Sequence, residues 1–289
     1  MKDVEMLKNV NLQKYNTYGI GGTCKYLIKP KSIMELKDTL KRLKEEKISW
    51  YILGSGSNVI LPDTDYNGAI IKLDNMQDFA IDNDLITVSS GMLLSVFINK
   101  MLELGYTNYA SLMGIPGTIG GAIVGNAGVK GITIFDYLVS VKVLEPNGDI
   151  IILNKEDIDY TYRNTEFKGT KRIILEATFK GIKGNALEAR EKIKETLEKR
   201  KNTQPLEYKN AGSVFKNPDG CAAGAIIEQT GLKGLQIGDA QVSEKHANFI
   251  INLGNAKSSD IINLIKEIKD KVKEAYNIDL ELEQIIVKW

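Results

Sequence analysis

Gly114-Ile115-Pro116-Gly117-Thr118-Ile119-Gly120-Gly121-Ala122, followed two residues later by Gly125-Asn126-Ala127-Gly128, is the densest run of small residues in the chain. So many glycines leave almost no side-chain bulk, and a flat or extended ligand can approach such a backbone closely. A knot of small residues packed on one another is the alternative. A second stretch, Gly54-Ser55-Gly56-Ser57-Asn58, follows the apolar run Trp50-Tyr51-Ile52-Leu53. No Gly-Lys-Ser/Thr follows its glycines, which excludes a Walker-type phosphate loop. Val59 stands where a Rossmann turn needs its third glycine, and Pro62 with Asp63 stops the helix that such a turn requires. What remains is a loop of small residues whose backbone N–H groups can form a nest for a pyrophosphate, or else an ordinary tight turn. Two such loops in one chain are better explained by one long ligand, such as a dinucleotide, than by coincidence.

Outward from these loops the pattern alternates between the two regular periods. Ser32 and Glu35 form a capping box that opens a helix over 32–47, with Ile33, Leu36, Leu40 and Leu43 on one face. Strands are expected at 50–53, 68–73, 85–89 and 172–179, and a helix at 93–104. Asn147-Gly148 between 139–144 and 149–153 predicts a hairpin, because both residues tolerate positive φ. A charged helix over 186–201 reads as a boundary. Beyond it come a loop over 202–218, a helix at 222–230, a strand at 247–252, a helix at 259–276 and a strand at 280–287. The pattern thus places a larger unit before that helix and a smaller one after it.

The chain has 289 residues, 43% of them hydrophobic and 26% charged, and its 38 basic side chains nearly cancel 37 acidic ones. That balance argues against a protein that coats nucleic acid. No apolar run reaches the roughly 18 to 20 residues needed to cross a bilayer, and MKDVEMLKNVNLQKY holds no signal-peptide core, so a cytoplasmic chain without a membrane span is expected. Cys24 and Cys221 form no CxxC pair. His246 is the only histidine, which excludes multi-histidine metal sites.

Three further places carry chemistry. Tyr160-Thr161-Tyr162-Arg163-Asn164 sets one of five arginines among aromatic and polar residues. A guanidinium there suits a carboxylate, and a surface ion pair is the other reading. Gly212-Ser213-Val214-Phe215-Lys216-Asn217-Pro218 offers a hydroxyl, an ammonium and an amide in one turn, or is simply a structural loop. Glu281 and Glu283 alternate with Leu280 and Leu282, which puts both carboxylates on one face of a strand.

Taken in order, Asn16–Gly22, Gly54–Leu61, Gly114–Gly128, Tyr162–Phe167, Gln204-Pro205-Leu206, Gly212–Pro218, Ala223–Gly234 and Val242–Asn252 make the chain resemble the UDP-N-acetylenolpyruvoylglucosamine reductase family, the flavin enzymes of peptidoglycan precursor synthesis. The short interval from Arg163 to Ser213 is similar to the subtype without the tyrosine-bearing substrate loop. The resemblance implies an α+β fold: a two-lobed FAD-binding domain of the vanillyl-alcohol oxidase and p-cresol methylhydroxylase type over 1–80 and 81–184, then an α+β substrate domain over 185–289. It implies FAD held by Gly54, Ser55, Gly56, Ser57 and Asn58 and by Ile115, Pro116, Gly117, Thr118 and Gly121. It also implies NADPH as reductant, with hydride passing through the flavin N5 to the enolpyruvyl C3 of a UDP-sugar. Ser213 would then protonate C2, with Arg163 and Glu283 stabilising the enolate-like intermediate and Arg163, Lys216 and Asn217 binding substrate. Lys130 reads either as a point charge on the UDP diphosphate or as a solvated loop lysine. Lys130 stands where the family often carries tyrosine, and Gln284-Ile285 follow Glu283 in place of valine and a basic residue. Glu281 remains an alternative to Glu283. Another flavin oxidoreductase on the same fold and a non-catalytic flavin-binding module are the competing functions. The first has no reason to carry the Gly212–Pro218 turn, and the second need not keep Arg163, Ser213 and a C-terminal carboxylate together.

Overall fold

The computed structural model describes residues 4–129 and 131–289. The chain divides into two compact units. One takes in the chain up to Leu7, Tyr26–Ser55 and Gly68–Glu198; the other takes in Lys8–Lys25, Gly56–Asn67 and Lys199–Trp289.

In the first unit, helix α1 (Ile33–Glu45) starts as its capping box demands: the Ser32 hydroxyl accepts from the Glu35 amide, and Glu35 accepts from the Lys31 amide. Leu36 and Leu43 face the core beside Ile28, Ala69 and Ile71. Strand Trp50–Ile52 pairs in parallel with Ala69–Ile71. A five-stranded antiparallel sheet runs Ile150–Asn154, Leu138–Leu144, Ile173–Lys180, Leu85–Ser89 and Phe79–Asp82. The hairpin between 144 and 150 turns at Gly148, whose φ is +94°; Asn147 stays outside the left-handed region. Helix α2 (Leu94–Glu103) packs Phe97 against Phe179 and Tyr109. The Tyr109 hydroxyl donates to the Lys180 carbonyl at 2.6 Å, and burial pushes that phenol well up from its ordinary range. Helix α3 (Ile119–Val124) lies inside the second glycine-rich stretch, where sequence pattern announced no helix. Helix α4 (Ala186–Thr203) buries only Ala189, as a helix that is polar all round should.

In the second unit, helix α5 (Ala223–Gln229) and helix α6 (Ser258–Tyr276) pack around a three-stranded antiparallel sheet of Gln236–Ile237, Ala240–Val242 and Ile250–Asn252. Ile261, Leu264, Ile265, Ile268 and Val272 form the buried stripe of α6. The helix ends at Asn277, which adopts the left-handed conformation at φ +55°. At its other end Asp63 accepts from the amides of Ser258 and Ser259 and from the Ser258 hydroxyl, satisfying donors that the helix itself leaves open. Asp63→Ala should cost about 1–2 kcal/mol, seen as a lower thermal midpoint with unchanged affinity for small ligands.

The strand expected over 280–287 is shorter than its pattern suggests. Only Ile285–Ile286 form a ladder, in parallel with Val59–Ile60. The chain changes partners at Gln284. Before it, the Glu283 amide donates to Val214 and the Lys216 amide to Glu281; after it, the Ile285 and Val287 amides donate to Asn58 and Ile60. Pro62 has no N–H to extend the ladder further along Val59–Ile60. The strand expected over 247–252 likewise contracts to Ile250–Asn252. Strands Glu5–Asn11 and Thr23–Lys29 were not anticipated.

Candidate active site

The first unit builds a cradle from Gly54-Ser55 and the long glycine-rich stretch Gly114–Gly128. Gly54 lies so close to Thr118 that a Cβ on it would meet the Thr118 Oγ1 at 3.1 Å. That same Oγ1 accepts from the Gly121 amide at 3.2 Å, capping α3. Gly114 and Gly117 have φ of +89° and +139°, conformations that glycine adopts without strain. Two buried polar atoms beside the loop, Ser90 Oγ and Asn126 Oδ1, have no hydrogen-bond partner among the described residues. Buried polar groups are normally paired, so these two atoms stand out beside a loop of this kind.

Arg163 sits at the tip of a hairpin between Tyr160–Thr161 and Asn164–Thr165, with φ +57°. Its guanidinium donates to the carbonyl of Gly128 at 2.6 Å and to that of Asn126 at 3.4 Å, and lies 5.5 Å from the Tyr162 ring centroid. Asn126 donates to Thr161 O, and Thr165 donates to Val124 O. The hairpin and the Val124–Gly128 segment are thus stitched together, and a half-buried guanidinium is delivered to the end of the glycine loop. Lys130 falls outside the described residues.

The remaining residues lie in the second unit. Gly56 has φ +67°, and its carbonyl accepts from the Thr17 amide. The Asn58 side chain donates to the Glu283 carbonyl at 3.3 Å. Ser213 follows Gly212, whose φ is +75°. Its half-buried hydroxyl is engaged by no other described residue. The turn is held from two sides. Asn248 accepts from the Val214 amide through its carbonyl and exchanges hydrogen bonds with the Phe215 backbone through its side chain. Gln284, buried, donates to the carbonyls of Ala211 and Gly212 and accepts from the Tyr18 hydroxyl. Burial pushes the Tyr18 phenol far up, so it remains a neutral donor.

Glu283 lies one backbone hydrogen bond from the residue after Ser213, and Phe215 bridges Leu282. Glu281, by contrast, is exposed and paired with Lys216 Nζ at 2.5 Å. The geometry therefore separates two carboxylates that period-two alternation treats alike. Asn217 accepts from the Ala223 amide at 3.1 Å, capping α5 and leaving its own NH2 available. His246 is structural: its Nδ1 accepts from the Asn248 amide, its ring meets Phe249 edge-on at 4.8 Å, and burial pushes the imidazole down. Asn248 was missed as a supporting residue, although a polar side chain inside the apolar run Ala247–Asn252 is a signal for one. Gln284 was noticed only as a departure from the family pattern.

The comparisons with known proteins agree on one lineage. A family model described as the UDP-N-acetylenolpyruvoylglucosamine reductase C-terminal domain matches residues 204–287, and an FAD binding domain matches residues 24–154. A UDP-N-acetylenolpyruvoylglucosamine reductase of Caldanaerobacter subterraneus subsp. tengcongensis is 38% identical over 99% of this chain and 95% of its own length. One from Caldicellulosiruptor bescii is 40% identical over 97% of this chain and 90% of its own. The crystal structure of the reductase from Thermus caldophilus superposes with a TM-score of 0.82 at 30% identity, covering 99% of each chain.

Proposed function

This chain belongs to the UDP-N-acetylenolpyruvoylglucosamine reductase family, and we propose that it reduces UDP-N-acetylglucosamine enolpyruvate to UDP-N-acetylmuramate with NADPH. It is an FAD-dependent oxidoreductase with an α+β fold. The observation that carries the substrate reading is the Ser213 turn: a hydroxyl engaged by no described residue, beside the segment that bears Glu283, on a backbone fixed by Asn248 and Gln284.

The residues present fit FAD. Gly54 packed on Thr118, Gly117 in its glycine-only conformation, and the orphaned Ser90 and Asn126 oxygens form a surface that accepts a flat, polar, extended group. Gly54, Ser55, Gly56, Ser57 and Asn58 would hold its diphosphate, and Ile115, Pro116, Gly117, Thr118 and Gly121 would line the rest. When bound, FAD would supply the two-electron chemistry that links NADPH to the enolpyruvyl carbon. The Arg163 guanidinium binds the substrate carboxylate, so that negative charge can develop there as hydride arrives at C3. Ser213 gives its proton to C2; a hydroxyl is a weak acid and serves only against so basic a carbon. Glu283 helps to stabilise the enolate-like intermediate. Lys216 and Asn217 contact the UDP-sugar. The segments 1–80 and 81–184 act as the FAD lobes and 185–289 as the substrate domain.

No helix among the described residues is long and apolar enough to cross a membrane, and we place the reaction in the cytoplasm. A visible spectrum of the purified protein, with NADPH consumption that depends on the enolpyruvyl sugar, tests this function. A colourless protein, or NADPH oxidation indifferent to that sugar, contradicts it. Lys130 is assigned to the UDP diphosphate as a point charge. Lys130→Ala should raise the KM for the UDP-sugar several-fold and leave flavin reduction unchanged; an unchanged KM removes Lys130 from the site.

A further inference from the structure

Lys72 is a cation buried where nothing in the reaction calls for one. Its side chain is 7% exposed, one residue past the strand Tyr66–Ile71 that pairs with Trp50–Ile52. Its ammonium donates to the carbonyl of Gly54 at 2.5 Å, and Asp74 lies 3.4 Å away. Burying a charge is costly, and a chain tolerates it where the charge is paired and used. Here one of its hydrogen bonds is spent on the first peptide of the Gly54–Asn58 loop.

That choice of acceptor has a geometric consequence. The C=O of Gly54 and the N–H of Ser55 belong to one planar trans peptide and point in opposite directions. Drawing the carbonyl back onto Lys72 turns the Ser55 amide outward, and no described residue accepts from that amide. On its other side Gly54 rests against the Thr118 hydroxyl, which in turn accepts from the Gly121 amide. Lys72, Gly54, Thr118 and Gly121 therefore form one continuous series of contacts linking the two glycine-rich loops. Desolvation pulls the Lys72 ammonium down from its ordinary range, and the Asp74 carboxylate opposes that pull.

We propose that Lys72 is a positioning residue for the flavin diphosphate: it fixes the Gly54–Ser55 peptide so that the Ser55 N–H faces the ligand, and sets a buried positive charge behind a loop that receives a dianion. This rests on the reading that FAD binds at the Gly54 loop. The expected consequence is selective. Losing Lys72 weakens the hold on FAD more than it weakens the fold: methionine fills a similar volume without the cost of a buried charge, which offsets part of what the Gly54 carbonyl loses with its donor.

The test is titration of flavin-free protein with FAD, followed by flavin fluorescence, together with the melting temperature of the flavin-free form. Lys72→Met should raise the Kd for FAD about tenfold or more and lower that melting temperature by no more than a few degrees. Lys72→Gln, which keeps a donor but loses the charge, should fall between Lys72→Met and wild type. It also serves as the readout if Lys72→Met fails to fold. A Kd within twofold of wild type in whichever variant folds overturns the proposal, as does a lower melting temperature with an unchanged Kd. Wild-type protein that binds no FAD overturns the functional reading and this inference with it, so the two failures are distinguishable.

Discussion

Ser213→Ala should reduce its flavin with NADPH at close to the wild-type rate, yet be reoxidised by the enolpyruvyl sugar about 10²- to 10⁴-fold more slowly. The asymmetry follows from where the hydroxyl acts. It has no part in the first half-reaction, and in the second it supplies the one proton that balances the hydride. The replacement is small, and the Ser213 hydroxyl makes no hydrogen bond to other described residues, so the fold should lose little. The supports on Ala211, Gly212, Val214 and Phe215 all stay in place. Ser213→Cys should recover part of the loss, because a thiol can also donate. Stopped-flow traces of the two half-reactions decide the matter. Equal slowing of both would remove Ser213 as proton donor and leave it as a turn residue.

Gly56→Ala should be the most damaging single change in the cofactor loop. Gly56 has φ +67°, and a Cβ there would come within 2.5 Å of both the Asn16 Cα and the Tyr15 carbonyl oxygen. The left-handed conformation alone costs a non-glycine residue about 1–2 kcal/mol, and forcing backbone apart adds about 1–3 kcal/mol. Asn16 cannot readily move, because its side chain donates to the carbonyls of Leu12 and Ile20 at 2.9 and 2.7 Å. Gly56→Ala should therefore emerge with little or no bound flavin and a melting temperature several degrees lower. Gly54→Ala meets only the Thr118 hydroxyl at 3.1 Å and should be milder on stability. Equal stability of wild type and Gly56→Ala would show that the loop adapts, contrary to this account.

The same contacts explain what was legible before the structure. Local signals carried well. The Ser32–Glu35 capping box, the Asn147-Gly148 hairpin and the α6 stripe each depend on neighbours a few residues away, and each element appears where its pattern put it. Non-local arrangements did not carry. Nothing in Asn16–Gly22 announces that it backs the Gly56 turn, nor does Lys8–Lys25 announce that it packs with Lys199–Trp289. Helix α3 escaped because glycines at 120 and 121 lower helix propensity; Thr118 capping and burial of Ile119, Ala122 and Ile123 stabilise it instead. In the site, residue types were readable but their partners were not. Period two could not separate Glu281 from Glu283, because the separation comes from Lys216 and Val214, both more than sixty residues away. Lys72 sat unremarked at the end of an apolar run, since a lysine there reads as a solvated strand end.

One measurement tests the central claim most directly: anaerobic mixing of the NADPH-reduced protein, freed of excess nucleotide, with UDP-N-acetylglucosamine enolpyruvate. The account predicts return of the oxidised flavin spectrum in a single turnover and one UDP-N-acetylmuramate formed per flavin. A flavin that stays reduced with this sugar, or is reoxidised without forming that product, would contradict it.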